Sequence, residues 1–423
     1  MRDVLFLSYF FPPMGGGAVL RALKFVKYLP GCGWRPLVVA GAGGYRVRDD
    51  TLAAEVPPEA VVRRVRPWPF FGAGDAAAAA KAPAASPRIA ARAARRLGRE
   101  VRCFFSFPDI YSWFARPAYR EARRLLSSRD VKLIFSTAPP YTSHVVAARL
   151  AREAGVPLVL DYRDAWADNP FGRPPTPLHR WRTRRAEAGV LAQASAVVAV
   201  TAGMAEGYRR RLAEGRAVAF IPNGYDEADF DEPAPAPAGP FTVAYAGQFY
   251  PGRMPWTLLR AASAFVEKRG LGPGDFRVRL VGPIGRSVSA RARGFGVPLE
   301  AVGVLGHRDA VREMRAADVN LLIIGSQPGA AATLTGKIFE YVRAGRPVLA
   351  LVPPEGEAAS LVKEFDAGVV VAPDDVDGAL MALAALYDGR RGAARPAPER
   401  LSRFERRNLT TELAALFDDV ARS

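Results

Sequence analysis

The chain has 423 residues, is 49% hydrophobic, holds 39 Gly and 36 Pro, and carries a formal net charge of +17. That length exceeds one ordinary core and points to two domains, and the apolar content excludes a disordered chain. Only Cys32 and Cys103 occur, without zinc-type spacing, which excludes a disulfide framework and a structural zinc and fits a reducing compartment.

Residues 4–11 read as a buried first strand. Their apolar run ends at Pro12-Pro13 rather than at a small-residue cleavage site, so it does not read as a leader peptide. No run reaches the roughly 18 apolar residues that cross a bilayer, so a soluble, cytoplasmic protein is expected. The turn "PPMGGG" follows. Next comes a helix with Val19, Leu20, Leu23, Val26 and Leu29 at helical spacing, and the strand "RPLVVAG". This is a β-loop-α-β unit, the start of a parallel sheet. An Ala/Pro-rich stretch, 76–87, precedes a basic segment from Arg88. The alternation resumes with "VKLIFST", a helix over 143–154, "VPLVLDY", a helix around 183–192, "SAVVAVT" and "AVAFIPNG". "DEPAPAPAGP", 231–240, reads as a stiff linker. Beyond it come "FTVAYAG", a helix over 256–268, "FRVRLVG", "AVGVLG", a helix over 308–317, "VNLLII", the segment 328–351, "GVVVAP" with a helix behind it, and a final amphipathic helix. The pattern predicts two doubly wound α/β domains with a ligand cleft at the carboxyl ends of the strands.

Several motifs lie at such strand ends. Gly15, Gly16 and Gly17 let backbone N–H groups approach an anion at the next helix N-terminus, or form a flexible turn. "DYRDAWADNP" sets Asp161, Arg163 and Asp164 within four residues. The arginine can clamp a phosphate or carboxylate, and Asp164 can accept a proton; an Arg–Asp ion pair closing the loop is the alternative. Trp166 is a sugar-stacking platform or a buried anchor. In "STAPPYTSHVV", Thr142 or Ser143 is expected to cap the next helix, with His144, one of three histidines, in its first turn. After Gly247, Arg253 stands near a helix start, where a cation suits a diphosphate unless it is merely solvated.

The segment "PGAAATLTGKIFEYVRAGRPVLAL" resembles a phosphate-binding P-loop only superficially. Its earlier glycine, Gly329, is two positions too early, and Ile338 replaces the hydroxyl residue after Lys337. Thr335 and Gly336 open a helix, Ile338, Phe339 and Val342 form its apolar face, and Gly345 and Pro347 end it. Lys337 and Glu340 share another face. Either they are a surface pair, or Lys337 meets a phosphate and Glu340 accepts two hydrogen bonds from a ribose.

These motifs, in this order, resemble those of the retaining glycosyltransferases of family 4, which have the GT-B fold. The resemblance rests on "YFFPPMGGGAVLRALKFVKYL", on "STAPPYTSHVVAARLAREAGVPLVLDYRDAW", on "IPNGYD" and on "TGKIFEYVRAGRPVLA", and spans nearly the whole chain. It implies two Rossmann-like domains facing across a cleft. The N-terminal one, 1–230, would carry an insertion at about 76–124; the linker, 231–240, would lead to a nucleotide-sugar domain, 241–402; and a helix, 403–423, would return to the first domain. It implies a nucleotide-diphosphate sugar as donor, a UDP-sugar foremost, with Glu340 on the ribose. Lys337, Arg253, Gly247, Thr335, Gly336 and the Gly15–Gly17 loop would lie around the diphosphate. It implies catalysis without metal or cofactor, Asp164 and Arg163 near the reacting centre, and Asp161, Trp166 and His144 on the acceptor side.

The chain departs from the family's pattern in three places. Ala332 stands where an acid near the donor sugar is common, which leaves that contact absent or passed to backbone N–H groups of residues 330–333. Gln248 stands where an arginine is frequent, and Tyr162-Arg163-Asp164 where many relatives have a histidine.

The acceptor side is marked by charge. Residues 1–232 hold 35 Lys and Arg against 22 acids, and the remainder 24 against 20. Residues 88–124 alone hold ten Arg and three acids among Phe104, Phe105, Phe107, Tyr111, Trp113 and Phe114. Such a segment either binds an anionic membrane surface, implying a lipid-linked acceptor in cell-surface polysaccharide synthesis, or packs on the core with a solvated basic face. The latter would suit a soluble aglycone. A non-catalytic GT-B nucleotide- or glycan-binding subunit is the reading that Ala332 and Gln248 favour. Nothing resembles a nucleic-acid module.

Overall fold

A computed structural model describes residues 1–43, 47–66, 106–169, 176–233, 239–389 and 398–422. The chain divides into two compact units. One is Met1–Pro222 with Thr410–Ser423, and the other is Asn223–Leu409.

The first unit is built on a seven-stranded sheet: β1 (Arg2–Leu7), β2 (Trp34–Gly41), β3 (Val61–Val65), β4 (Val131–Ala138), β5 (Leu158–Tyr162), β6 (Ala196–Ala199) and β7 (Ala217–Phe220), in the order β3-β2-β1-β4-β5-β6-β7. All its pairings are parallel, with Val4 opposite Pro36 on one side and Leu133 on the other. Both faces of the central strands are buried, which is why β1, β4 and β5 read as continuous apolar runs. The order reverses between β1 and β4, so the loops after these two strands flank a switch-point crevice.

The second unit has six parallel strands: β8 (Phe241–Ala246), β9 (Phe276–Val281), β10 (Leu299–Gly303), β11 (Val319–Ile323), β12 (Val348–Leu351) and β13 (Gly368–Val371), in the order β10-β9-β8-β11-β12-β13. Its reversal lies between β8 and β11. The loop carrying Gly247 and the segment from Gly329 to Gly336 therefore leave the sheet side by side. This is the doubly wound, Rossmann-like α/β architecture in both units.

The last helix, Arg406–Arg422, begins in the second unit and continues into the first. There Phe417 packs edge-on against Trp34 and Phe135, and Asp418 accepts the Trp34 indole N–H at 2.8 Å and pairs with Arg2.

Several local expectations are corrected. The pattern missed β3, a half-exposed strand carrying Arg63 and Arg64, and the short helix Asp50–Ala54. The helix expected around 183–192 runs Pro177–Leu191, with Thr176 as its cap. The boundary between the units precedes the expected linker, of which 234–238 lies outside the described residues. The basic segment is described only from residue 106. That part is a crossover element: Phe114 is fully buried, and the helix Ala115–Ser128 buries Ala118, Ala122 and Leu125. Among the described residues, no helix is long and apolar enough to cross a membrane.

Candidate active site

In the first unit, Gly16 (φ 94°) caps the helix Gly17–Tyr28 without a side chain. A Cβ on Gly15 would stand 2.8 Å from Val47 Cγ1, whereas Gly16 and Gly17 face open space. Among the described residues, nothing crowds the helix N-terminus at Gly16 and Gly17. Arg163 stitches this loop to the one after β4. Its guanidinium donates to the carbonyls of Ala18 and Pro139, and its backbone N–H donates to Ala138 O at 2.9 Å. Burial pulls its pKa below the usual guanidinium range. With donors on these carbonyls, Arg163 holds the switch-point loops together. Asp164 beside it is exposed.

Asp161 does not stand on a cleft-facing loop. It lies on β5, fully buried, and pairs with Arg21, whose side chain is 1% exposed, at 2.7 Å. Thr137 Oγ1 also donates to it, and Arg21 donates on to the carbonyls of Ile221 and Pro222. An acceptor-side role for Asp161 gives way to an internal ion pair. His144 is likewise interior. Its Nδ1 meets Ser136 Oγ at 2.9 Å, its Nε2 has no partner among the described residues, and burial lowers its pKa to about 3, so the ring is neutral. Trp166 is the buried anchor, stacked on Tyr141 at 4.9 Å. Neither Thr142 nor Ser143 caps its helix. The carboxylate of Asp109 does so from a distance, accepting the Thr142 N–H at 3.0 Å and its hydroxyl at 2.8 Å.

In the second unit, the residues at the switch point converge. Lys337, the first residue of the helix Lys337–Ala344, donates to Tyr245 Oη at 2.8 Å and lies over that ring. Tyr245 in turn stacks on Phe249 and donates to Gln248 O at 2.9 Å. Tyr341 Oη accepts the Ala246 N–H at 3.2 Å, which pins the helix start to the end of β8. Gly247 (φ 139°) holds a backbone conformation that side chains with a Cβ rarely adopt, and a Cβ there would also displace the end of Lys337. Burial pulls the Lys337 ammonium down to about 7; Glu340 opposes that shift, and Arg253 adds to it. Two cations thus stand close enough to disfavour each other's charged form. Thr335 Oγ1 is buried with no hydrogen-bond partner among the described residues, and Gly336 lies against Asn223.

Glu340 is buried in the first turn of this helix and faces His307, whose Nε2 stands 3.5 Å from Glu340 Oε1 and 3.2 Å from Asp229 Oδ2. Before the helix, Ala330–Ala332 form a 3-10 turn with Ala332 exposed. The N–H groups of Ala330, Ala332 and Thr333 bond to the carbonyls of Gln327, Gly329 and Ala330. Sequence reasoning missed Tyr245, His307 and Asp229. Tyr245 reads as an ordinary strand residue, and no spacing links His307 to Glu340.

A glycosyl transferase 4-like domain profile matches residues 16–224, and a glycosyl transferases group 1 profile matches residues 240–388. The fold agrees with solved structures. The Anabaena protein HepE, in complex with UDP and glucose, superposes with a TM-score of 0.64 at 17% identity, covering 99% of this chain and 100% of that one. The chain belongs to the GT-B glycosyltransferases. Sucrose-phosphate synthase from Thermosynechococcus elongatus matches this glycosyltransferase with a TM-score of 0.68 at 16% identity, with complete coverage of both chains. A putative UDP-N-acetylglucosamine 2-epimerase from Listeria monocytogenes also shares the fold, with a TM-score of 0.58 at 11% identity and 100% and 97% coverage. The fold alone therefore does not fix the reaction, and the two transferase profiles carry that assignment. No curated protein sequence matches the chain.

Proposed function

We propose that the protein transfers a sugar from a UDP-sugar to a hydroxyl acceptor with retention at the anomeric carbon. The observation that carries this reading is the cluster at the second unit's switch point. Lys337 and Arg253 supply positive charge beside the helix N-terminus, the hydroxyl of Thr335 is unpartnered, and the Glu340 carboxylate lies one turn along. A diphosphate suits the cations and the helix end, and a ribose suits the carboxylate. HepE, of the same fold, has been solved with UDP and with UDP-glucose.

In this reading the protein's part in the chemistry is to stabilise the departing diphosphate. Lys337 and Arg253 carry that charge without a metal. Asp164, exposed just after β5, is the polar group we assign to the reaction itself. The basic surplus of residues 1–232 favours an anionic or lipid-linked acceptor at the cytoplasmic membrane face, as in cell-surface glycan synthesis. The test is a panel of UDP-, GDP- and dTDP-sugars, read first by thermal shift and then by nucleotide release. Stabilisation and turnover with UDP-sugars support the proposal. Binding of UDP-sugars without any release, with or without lipid-linked acceptors, points instead to a binding subunit.

A further inference from the structure

His307 begins the helix His307–Ala316, is 12% exposed at its side chain, and lies between two shielded carboxylates. Asp229 belongs to the 3-10 turn Glu227–Asp229, and Glu340 to the helix Lys337–Ala344. The 3.2 Å approach of Nε2 to Asp229 is a hydrogen-bond distance, and the 3.5 Å approach to Glu340 is a close polar contact. The same turn is tied to the same helix again, by Glu227 accepting from Arg343 Nε at 2.9 Å. Two links therefore fix the helix against the turn, and one of them runs through an imidazole that touches Glu340 itself. Without a group between them, two buried carboxylates so placed would repel, and Glu340 would turn towards solvent or take up a proton.

We propose that His307 is a positioning residue. Held by Asp229, it fixes the Glu340 carboxylate in the orientation that receives the donor's ribose hydroxyls. This inference rests on the reading of Glu340 as the ribose-binding group. It assigns His307 and Asp229 to donor recognition, though neither carries a motif.

The test compares UDP with 2′,3′-dideoxy-UDP by isothermal titration calorimetry on the full chain. The variants are Glu340→Ala, His307→Ala, His307→Gln and Asp229→Asn, each checked by thermal melting. Loss of one hydrogen-bond partner predicts that His307→Ala raises the Kd for UDP about five-fold and leaves that for the dideoxy analogue unchanged. His307→Gln, whose amide can reach the Nε2 position, should keep most of the affinity. If His307→Ala does not fold, Asp229→Asn carries the test and should show the same ribose-dependent loss. A Kd for UDP that His307→Ala leaves unchanged, or an equal loss for both nucleotides, overturns the proposal while Glu340→Ala still shows a ribose-dependent loss. If Glu340→Ala itself loses no affinity for the ribose hydroxyls, the reading of Glu340 fails, and this inference falls with it.

Discussion

Asp161→Asn should destabilise the first unit strongly. The change keeps the side chain's size and removes only its charge. Arg21 is then left 1% exposed with two backbone carbonyls and a neutral amide where it had a bidentate carboxylate, with bonds of 2.7 to 3.1 Å. Breaking a buried pair by removing one partner costs about 3–5 kcal/mol, because the remaining charge is uncompensated. For a unit of this size each kcal/mol lowers Tm by about 2–4 °C, so the first unit's transition should fall by about 6–20 °C. Differential scanning calorimetry would resolve it from the second unit's transition. The double variant Arg21→Met with Asp161→Leu should recover much of the loss, since neither charge remains to be buried. A Tm shift under about 2 °C for Asp161→Asn, combined with a raised KM for the acceptor, would refute the structural role and restore Asp161 to the acceptor site.

Two further outcomes concern the second unit. Gly247→Ala should push Lys337 off Tyr245 and weaken donor binding about tenfold, and should also lower Tm by a few degrees because alanine is strained at φ 139°; calorimetric titration that finds full affinity would contradict this close approach. Donor affinity should also depend on pH. Lys337 in the free protein has its pKa lowered to about 7, so the charged form that a diphosphate prefers is depleted as pH rises. A nucleotide sugar keeps its own charge across this range. Its Kd should therefore rise about tenfold between about pH 7 and about pH 8.5, and Lys337→Met should flatten the profile. A flat wild-type profile would show that Lys337 is not at the diphosphate.

Much of the fold was legible because parallel strands buried on both faces announce themselves as apolar runs, and helices by their period. β3 escaped because an edge strand with Arg63 and Arg64 exposed has neither signature. The donor helix was legible down to its boundaries, since Gly336 and Gly345 punctuate it. The polar residues at the ends of β4 and β5 were harder. A carboxylate after an apolar run reads the same whether it faces solvent, as Asp164 does, or an arginine from a distant helix, as Asp161 does. The choice depends on Arg21, 140 residues away in sequence, and no local pattern encodes that pairing. The same holds for Asp109 capping a helix 33 residues on, and for Tyr245 beneath Lys337.

The central claim is that the second unit holds a UDP-sugar with its ribose on Glu340. Isothermal titration of UDP into the wild-type chain and into Glu340→Ala tests it most directly. A carboxylate that accepts two hydroxyl hydrogen bonds predicts that the wild type binds and that the variant loses about tenfold or more in affinity. Equal affinity of the two proteins for UDP, or no binding by the wild type, would contradict it.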